Sequence, residues 1–262
     1  MKIASFNING IRARLDALID WFDEATPDVV LLQEIKSEDA AFPHEPFESR
    51  GYQLRTHGQK GFNGVAVLSR LPLEDVVCGL PDDAQDAQDV QARWIEATVM
   101  AARPVRVCGL YLPNGNPAPG PKYDYKLAWM ARMHRRAQAL LALEEPFLMA
   151  GDYNVIPQDE DASQPEAWRD DALGRAESRA AFRRLLYLGF TDAFRVRTQG
   201  GGHYSFWDYQ GGAFKRNEGI RIDHILLSPA CADLLRDCQI DAYVRAGHRP
   251  SDHVPLWVDL AL

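Results

Sequence analysis

Residues 151–154, Gly-Asp-Tyr-Asn, place two oxygen-bearing side chains directly after an apolar run. The run 147–150 (FLMA) has the composition of a buried strand, so Asp152 and Asn154 are expected where that strand leaves the core. A carboxylate and a carboxamide can bind a hard cation, and they can also hold a water molecule or a phosphate. The pattern therefore indicates metal-assisted or acid–base chemistry at the end of a strand.

Six other polar residues lie at the ends of short apolar runs or inside them: Asn7, Glu34, Tyr111, Asp223, Asp252 and His253. Taken singly, such a residue is usually a turn former, a helix cap or a solvated strand end. Taken together, the carboxylates would repel one another if they converged without a cation. A set of carboxylate and amide oxygens suits Mg²⁺ or Mn²⁺ better than zinc. His253 would then be free for chemistry beside a carboxylate that fixes its tautomer.

Bringing these residues together requires strands that run toward a common edge. Strands are predicted at 2–7, 29–33, 65–69, 94–100, 105–112, 147–150, 222–227, 240–244 and 254–260, and helices at about 11–24, 122–143, 175–188 and 229–236. Asn9-Gly10 and Ser228-Pro229 are typical of helix starts. Because strands outnumber helices and several are separated by hairpin-length loops, we expect an α/β chain with mixed or antiparallel sheets.

The bulk composition restricts the class of protein. The chain has 262 residues, of which 46% are hydrophobic, enough for one large or two small domains. No apolar run approaches the ~20 residues that cross a bilayer, and the start MKIASFNING lacks the apolar core of a secretory signal. Four cysteines without CxxC spacing indicate reduced thiols. A cytoplasmic protein with no membrane partner is expected.

The charge pattern leaves nucleic-acid binding open. The net charge of −8 argues against a broadly basic, non-specific nucleic-acid binder. Basic residues are nevertheless concentrated at 132–136 and 215–221, and acidic residues at 82–89 and 158–171. Each run by itself is most simply a solvated face.

The chain carries eight motifs in this order: FNINGIRAR (6–14), LLQEIK (31–36), GVAVLSR (64–70), GLYLPNG (109–115), GDYNVIP (151–157), YSFWDY (204–209), RIDHILLS (221–228) and SDHVPLWVDL (251–260). They resemble the exonuclease III type of apurinic/apyrimidinic (AP) endonuclease, within the endonuclease/exonuclease/phosphatase superfamily. GDYN and SDH mark the superfamily, whereas LQEIK, YLPNG, and SFW followed by RID narrow the resemblance to the abasic-site DNA-repair branch. The resemblance implies a four-layer α/β sandwich in a single domain over 1–262. Two mixed β-sheets would pack face to face, with helices on the outside and the active site at one edge.

The reaction that this resemblance implies is Mg²⁺-dependent hydrolysis of the DNA backbone 5′ to an abasic sugar, leaving a 3′-hydroxyl. Mn²⁺ is expected to substitute for Mg²⁺. Trimming by 3′-phosphatase or 3′-phosphodiesterase activity is expected at some level, and the strength of any 3′–5′ exonuclease activity stays open. The implied metal-binding residues are Asn7, Glu34, Asp152, Asn154, Asp252 and His253, with Glu34 as the primary ligand. Whether one or two ions act stays open.

The same resemblance implies five catalytic residues: Tyr111, Asp152, Asn154, Asp223 and His253. Asp152 would position and deprotonate the attacking water, while Asn154 would donate to the phosphate or fix Asp152. His253, oriented by Asp223, would donate to the phosphate or act as the base, and the phosphate contact is preferred. Tyr111 would offer its hydroxyl to the phosphate or to the leaving group.

The implied partner is double-stranded DNA with abasic sites or blocked 3′ ends, bound by a monomer. Asn114 would contact a phosphate, and Phe206 and Trp207 would form apolar walls for the abasic sugar. The candidate contacts to other backbone phosphates are Arg12, Arg14, Lys36 and Lys60, and on the long helix Lys122, Lys126, Arg132 and Arg136. Segment 158–174 is expected near the sugar, where it would admit or exclude a normal 3′-terminal nucleotide.

Two positions depart from the pattern of some relatives. Asn9 replaces an aspartate near the metal, which weakens the case for a second ion held from that side. Ile220 replaces a tryptophan, so a differently shaped sugar pocket is expected.

Two alternatives remain from the sequence alone. One is another enzyme of the superfamily, either a non-specific nuclease or a small-molecule phosphatase such as one acting on inositol phosphates or lipids, which the acidic composition suits. The other is an inactive DNA-binding scaffold, which is disfavoured because every expected ligand is present.

Overall fold

The computed structural model describes residues 1–81 and 89–262, so the acidic run at 82–89 lies outside the described residues except for Asp89. The strands of the described ranges are β1 (Lys2–Asn7), β2 (Val29–Gln33), β3 (Gln53–His57), β4 (Val65–Ser69), β5 (Leu73–Cys78), β6 (Trp94–Val99), β7 (Val105–Tyr111), β8 (Phe147–Asp152), β9 (Thr191–Asp192), β10 (Asp223–Leu227), β11 (Leu235–Ile240) and β12 (Leu256–Leu260). The α-helices are α1 (Leu15–Ala25), α2 (Glu45–Glu48), α3 (Pro121–Leu141), α4 (Ala176–Tyr187), α5 (Ala193–Arg197) and α6 (Pro229–Ala232). Short 3₁₀ helices span Ile11–Arg14, Asp39–Ala41, Asp159–Asp161, Pro165–Trp168, Gln210–Gly212 and Ala242–Ala246.

The strands form two mixed sheets of six strands each. The first has the order β11-β12-β1-β2-β4-β3, and the second β5-β6-β7-β8-β10-β9. Each sheet contains one parallel pair, β1 with β2 and β7 with β8. A parallel pair needs a crossover connection, which α1 supplies in the first sheet and α3 in the second.

The sheets face each other and the long helices cover their outer faces. In β2, Val29 and Leu31 belong to the core between the sheets, whereas Val30 and Leu32 belong to the core beneath α1. β8 alternates in the same way between the opposite sheet and the helices α3 and α4. Burial on both faces explains why these strands read as continuous apolar runs. The predicted four-layer α/β sandwich is therefore confirmed.

In the first sheet, the strand directions bring polar residues to one end. The register of the parallel pair sets Asn7 opposite Gln33, so Glu34 follows at the same end. β12 runs antiparallel to β1, so Asp252 and His253, which precede β12, return to that end.

The second sheet delivers its own polar residues to the same edge of the sandwich. Tyr111 ends β7 opposite Asp152, which ends β8. β10 runs antiparallel to β8, so its first residue, Asp223, also pairs with Asp152. The polar strand ends seen in the sequence therefore converge because of strand order and register.

Some element predictions are wrong. The strand predicted at 240–244 is instead β11, which ends at Ile240 and is followed by a 3₁₀ helix. The helix predicted at 229–236 stops at Ala232. The Ser228 hydroxyl does not cap it, but accepts a hydrogen bond from the Phe147 N–H at 3.0 Å. The half-exposed strands β3 and β5 were not predicted, because polar side chains interrupt their apolar residues.

Within 1–81 and 89–262, no helix combines the length and the hydrophobicity that crossing a bilayer requires.

Candidate active site

A pocket of about 240 Å³ opens at the edge where the strand ends meet. It is lined by the last residues of β7 and β8 and by residues from five connections between elements: Glu34, Tyr111, Asn114, Asn116, Asp152, Asn154, Trp168, Leu173, Phe206, Ile220, Ile222, Asp252 and His253. Of the residues predicted to be catalytic, only Asp223 is missing from the lining, and it lies directly behind His253. The structure thus brings together residues that are up to 219 positions apart in sequence, from Glu34 to His253.

Glu34 and Asp152 form an acidic pair at the bottom of this pocket. The Asn7 amide nitrogen donates to Glu34 Oε1 at 2.9 Å and to Asp152 Oδ2 at 3.0 Å, and so links the two sheets. Lys36 Nζ lies 2.9 Å from Glu34 Oε2. Burial opposes ionisation of Glu34, but the hydrogen bonds from Asn7 and Lys36 outweigh it and lower its pKa. Glu34 is therefore held as a carboxylate.

Backbone conformation helps to aim these side chains. Glu34 has φ 49° and Asn154 has φ 48°, in the left-handed region that few residues other than glycine adopt. Both residues stand just past a strand end, so the turn redirects their side chains away from the alternation of the strand. Such conformations persist where surrounding contacts enforce them, and they are concentrated at functional sites.

His253 is held between two carboxylates. Its Nδ1 lies 2.8 Å from Asp223 Oδ2, and its Nε2 lies 3.7 Å from Asp152 Oδ2. Burial disfavours the imidazolium, but the charges of Asp223 and Asp152 outweigh it and raise the pKa of His253 to about 10. The side chain is therefore protonated at neutral pH, with Nδ1–H donated to Asp223 and Nε2–H directed into the pocket.

Asp152 is the carboxylate whose proton affinity is shifted upward. Burial, with the charges of Asp223 and Glu34 added, raises the pKa of Asp152 to about 7, while His253 opposes the shift. The Asn154 N–H donates to its Oδ1 at 2.8 Å and fixes the carboxylate plane. A carboxylate with a pKa near neutrality is suited to accept a proton from water.

Tyr111 stands on the other side of the acidic pair. Its pKa is raised well above the usual value, first by burial and then by the charges of Glu34 and Asp152. The guanidinium of Arg93 lies 4.8 Å from its ring centroid. The phenol therefore stays protonated and can only donate its hydrogen or accept through its neutral oxygen.

The donor set fits a hard divalent cation. Glu34, Asp152 and His253 each have a potential ligand atom, and these atoms lie within 4.8 Å of one another. A protonated His253 has no free lone pair, so the carboxylate oxygens are the donors left for a cation. Two of the three are carboxylate oxygens, and no cysteine sulfur lies among the residues that line the pocket, which favours an oxygen-seeking ion over zinc.

The two asparagines of the predicted metal-binding set, Asn7 and Asn154, use their side chains for hydrogen bonds within the protein. Asn7 turns its nitrogen toward the carboxylates, while its oxygen accepts from the Asn9 N–H at 3.0 Å. Asn154 donates its amide to Leu112 O and accepts from Asn114 at 3.1 Å. The prediction that Asn7 and Asn154 offer oxygen ligands does not match this geometry, in which both act as hydrogen-bonding supports.

Asp252 lies at the rim of the pocket, outside the group of three potential ligands. Its Oδ1 accepts from the Asn9 amide at 2.9 Å and from the Ser251 hydroxyl at 3.3 Å. Asn9 also accepts from Lys36, which is itself paired with Glu34. Asp252 is therefore coupled to Glu34 through a chain of side chains.

Comparison with known proteins identifies the family. A model of the Endonuclease/Exonuclease/phosphatase family matches residues 4–253. The chain belongs to this family. Exodeoxyribonuclease III from Haemophilus influenzae is 36% identical to it over 273 residues, covering 99% of each protein.

Solved structures of the family agree closely with the fold. The 3′–5′ exonuclease NExo from Neisseria meningitidis superimposes with a TM-score of 0.94 at 37% identity. An AP endonuclease from Archaeoglobus fulgidus gives 0.93 at 35% identity, and both comparisons cover 100% of each chain. The resemblance seen in the eight motifs is confirmed, and the chain is a hydrolase whose similar family members are nucleases.

Among the residues predicted to contact DNA, the structure separates accessible from committed side chains. Lys60 is exposed in the loop between β3 and β4, which lies at the active edge because Val65 pairs with Gln33. Arg12 is exposed and donates to Ala41 O at 3.0 Å. The Lys36 ammonium pairs with Glu34, so this lysine belongs to the acidic centre of the pocket.

The apolar walls also differ from the prediction. Phe206 lines the pocket and contacts the His253 ring edge-to-face at 5.0 Å between centroids. Trp207 is only 2% exposed and donates its indole N–H to Asn217, so it is a core residue and not a wall. Trp168 and Ile220 face the pocket with Phe206. Trp168 was missed because its segment reads as a polar loop.

Three bases predicted on the long helix to bind DNA are buried or paired inside the protein. Lys126 is fully buried. Arg132 pairs with Asp89 at 2.8 Å and Arg136 with Glu96 at 2.6 Å. The prediction that these three side chains contact phosphates is therefore wrong, because α3 turns that face toward the second sheet.

Proposed function

We propose that this protein is a divalent-metal-dependent DNA-repair phosphodiesterase that cleaves the backbone 5′ to abasic sites and leaves a 3′-hydroxyl. The observation that carries the proposal is the convergence of Glu34, Asp152 and His253, with polar atoms within 4.8 Å of one another, in one pocket that Tyr111 and Asn154 also line. The similarity to an AP endonuclease and to exodeoxyribonuclease III supports DNA as the substrate.

The acidic centre would bind Mg²⁺, with Glu34 as the carboxylate ligand and Asp152 beside the ion. When bound, the ion would neutralise part of the charge of the phosphodiester and of the leaving 3′-oxygen. Removing either carboxylate would weaken its binding. The Lys36 ammonium already places a positive charge beside Glu34, the carboxylate that would also bind the ion.

The protein's own groups divide the remaining work. Asp152, fixed by the Asn154 N–H, accepts the proton of the attacking water. His253 donates Nε2–H to a non-bridging oxygen of the phosphate, because its raised pKa excludes it as a base at neutral pH. Tyr111, also protonated, donates to the phosphate or to the leaving oxygen.

The apolar side of the pocket would hold the sugar that lacks a base. Phe206, Trp168 and Ile220 line it, and the same three residues also border a second cavity of about 650 Å³. That cavity has room for a nucleotide next to the scissile phosphate. This favours 3′–5′ exonuclease and 3′-trimming activity in addition to cleavage at abasic sites.

A comparison of three substrates tests the proposal: a 5′-labelled duplex with one abasic site, the intact duplex, and a phosphoinositide. We expect Mg²⁺-dependent cleavage of the abasic duplex, loss of activity in EDTA, and a product that a DNA polymerase extends. Asp152→Asn, purified in parallel, controls for contaminating nucleases. Equal rates on the abasic and intact duplexes, or preference for the phosphoinositide, would refute the proposal.

A further inference from the structure

Lys126 is a fully buried lysine whose amine contacts three loops of the active site. Its Nζ donates to the backbone carbonyls of Asn154 at 2.6 Å, Ala172 at 3.0 Å and Asn114 at 3.1 Å. Asn114 lies on the loop between β7 and α3, and Asn154 and Ala172 lie on separate stretches of the connection between β8 and α4. All three segments reach the catalytic pocket, while Lys126 itself lies on helix α3. One side chain thus connects a helix to three segments, of which the Asn154 and Ala172 segments also share a backbone hydrogen bond from Ile156 N to Leu173 O at 2.9 Å.

The surroundings of this amine are unusual for a structural residue. Among the ion pairs of the described residues, none includes Lys126, although burying a charge without a partner is unfavourable. Burial lowers the pKa of Lys126 to about 7, while the charges of Asp152 and Asp171 act in the opposite direction. Three carbonyl acceptors occupy all three N–H groups of the ammonium, which stabilises the charged form.

Two of the three loops carry the amides that surround the phosphate site. Asn114 donates to the Asn154 side chain at 3.1 Å, and the Asn154 N–H holds the Asp152 carboxylate. The carbonyls of these same two asparagines accept from Lys126. A change at Lys126 therefore reaches Asp152 through the Asn154 backbone.

The third loop carries the wall of the substrate pocket. Ala172 lies between Trp168 and Leu173, which both line the pocket. The side chain of Asn116 fastens the same loop, accepting from the Ala172 N–H at 3.1 Å and donating to Asp171. The distance between the catalytic amides and the apolar wall is thus set by contacts at Ala172.

The lysine stem fits tightly beneath the YLPNG loop. A Cβ placed on Gly115 would lie 2.7 Å from Lys126 Cδ. Glycine at this position, which has φ 91°, lets the loop lie directly on the stem. The backbone of the loop and the lysine side chain are therefore closely packed.

We propose that Lys126 is a positioning residue that holds the catalytic amides and the pocket wall in register with Asp152. The inference rests on the proposed function for its substrate, but the role itself concerns any phosphodiester cleaved at this site. Loss of the ammonium lets the three loops shift relative to one another. Because catalysis depends on placement within an ångström, turnover falls more than binding does.

The test compares Lys126→Met, which keeps an unbranched stem but no donor, with Lys2→Met. Lys2 is a half-buried lysine that also donates to a backbone carbonyl, that of Ala25 at 2.9 Å, but it lies at the end of β1 opposite to Asn7. The measurements are kcat per folded molecule on the abasic duplex and Kd for that duplex in EDTA, with the folded fraction from circular dichroism. For Lys126→Met we expect kcat to fall by about 100-fold with Kd changed less than about threefold. Lys2→Met should match the wild type in kcat.

Three results would overturn the assignment. The first is an unchanged kcat per folded molecule of Lys126→Met, and the second is an equal loss of kcat and binding. The third is that neither Lys126→Met nor a second variant, Lys126→Gln, folds, because Lys126 would then have only a structural role. If the wild type does not cleave the abasic duplex, the proposed function fails. The same kcat comparison on bis(4-nitrophenyl) phosphate then still decides the role of Lys126.

Discussion

Asp152 and His253 are 3.7 Å apart in a buried pocket, yet their surroundings give them different tasks. Burial next to Glu34 and Asp223 makes Asp152 a proton acceptor near neutrality, whereas the flanking carboxylates keep His253 protonated. The sequence left open which of the two is the base. In the proposed mechanism the base is Asp152, because the charges of Asp223 and Asp152 raise the pKa of His253 and keep it protonated.

Substituting either residue should impair turnover without preventing DNA binding. We expect Asp152→Asn and His253→Ala each to lower kcat by roughly three orders of magnitude or more, because each removes a group that acts in the transition state. Gel-shift measurements in EDTA should give a Kd close to that of the wild type. An equal loss of kcat and affinity would assign these residues to substrate binding instead.

Glu34 should be recognised by its effect on the metal requirement. We expect Glu34→Ala to raise the Mg²⁺ concentration for half-maximal activity by about tenfold or more, since a carboxylate ligand is lost. Glu38→Ala, an exposed acid four residues later, is the matched control. A Mg²⁺ titration of Glu34→Ala that superimposes on the wild type would contradict its assignment as a ligand.

At the level of single residues, the sequence predicted side-chain types better than side-chain directions. Glu34, Asp152 and His253 could be chosen because charged groups are rare at the ends of buried strands. The direction of the Asn7 amide and the burial of Lys126 could not be predicted, because both depend on contacts between segments more than ten residues apart. Charge alone suggested that Lys126 binds DNA, whereas the packing of α3 buries it.

Among the elements, β10 carries a second buried polar network beside the catalytic one. His224 is fully buried, and its Nε2–H donates to Val155 O at 2.9 Å while Nδ1 accepts from Arg221 at 3.0 Å. Arg221 continues to Asp161 at 2.7 Å and to Asp192 at 2.9 Å. The network ties segment 158–174 to the strand that presents Asp223.

This network should make the fold sensitive to acid. Burial and Arg221 lower the pKa of His224 from 6.5 to about 4. Between these values the unfolded chain binds a proton at this residue that the folded chain does not, so the free energy of unfolding falls as pH decreases. The contribution is on the order of 3 kcal/mol at most.

Urea unfolding at intervals from pH 7 to pH 4 would measure the effect, with His224→Gln as the comparison. We expect the wild-type stability to fall more steeply than that of the variant between pH 6.5 and about 4. Parallel curves would show that His224 does not stay neutral in the folded protein.

Element prediction succeeded where both faces of a strand are buried. β2, β4 and β8 are continuous apolar runs because one face meets the other sheet and the opposite face meets helices. Prediction failed for the peripheral strands β3 and β5, where the apolar pattern is weak. It also failed after Ser228, where the hydroxyl satisfies a backbone N–H of β8 and not of its own helix.

Across the whole molecule, a net charge of −8 requires that DNA be met by a local concentration of positive charge. Several bases that suggested such a surface, including Arg132 and Arg136, pair with acids inside the protein. Lys60 lies in a loop at the active edge, whereas Arg103 lies in the turn between β6 and β7, at the other end of the strand that carries Tyr111.

The salt dependence of binding distinguishes these two bases. We expect log Kd to vary linearly with log salt concentration, and Lys60→Gln to reduce the slope by about 1, the loss of one phosphate contact. Arg103→Gln removes the same charge at the far end and should leave the slope unchanged. Equal slopes for both variants would remove Lys60 from the DNA-binding surface.

The four-layer architecture could be predicted from the ordered motifs that span the chain, but the contacts between the site residues are seen only in the three-dimensional structure. Glu34 follows a strand of the first sheet and Asp152 ends a strand of the second, and only the packing of one sheet on the other brings both to a shared Asn7. No periodicity within either half encodes that contact.

The central claim is that the carboxylates of Glu34 and Asp152 lie around a divalent ion. The most direct test is a crystal soaked in Mn²⁺ and measured near the manganese absorption edge. An anomalous peak bonded to Glu34 and beside Asp152 is the predicted result. A map with no peak there, or with manganese bound elsewhere on the molecule, would contradict the account.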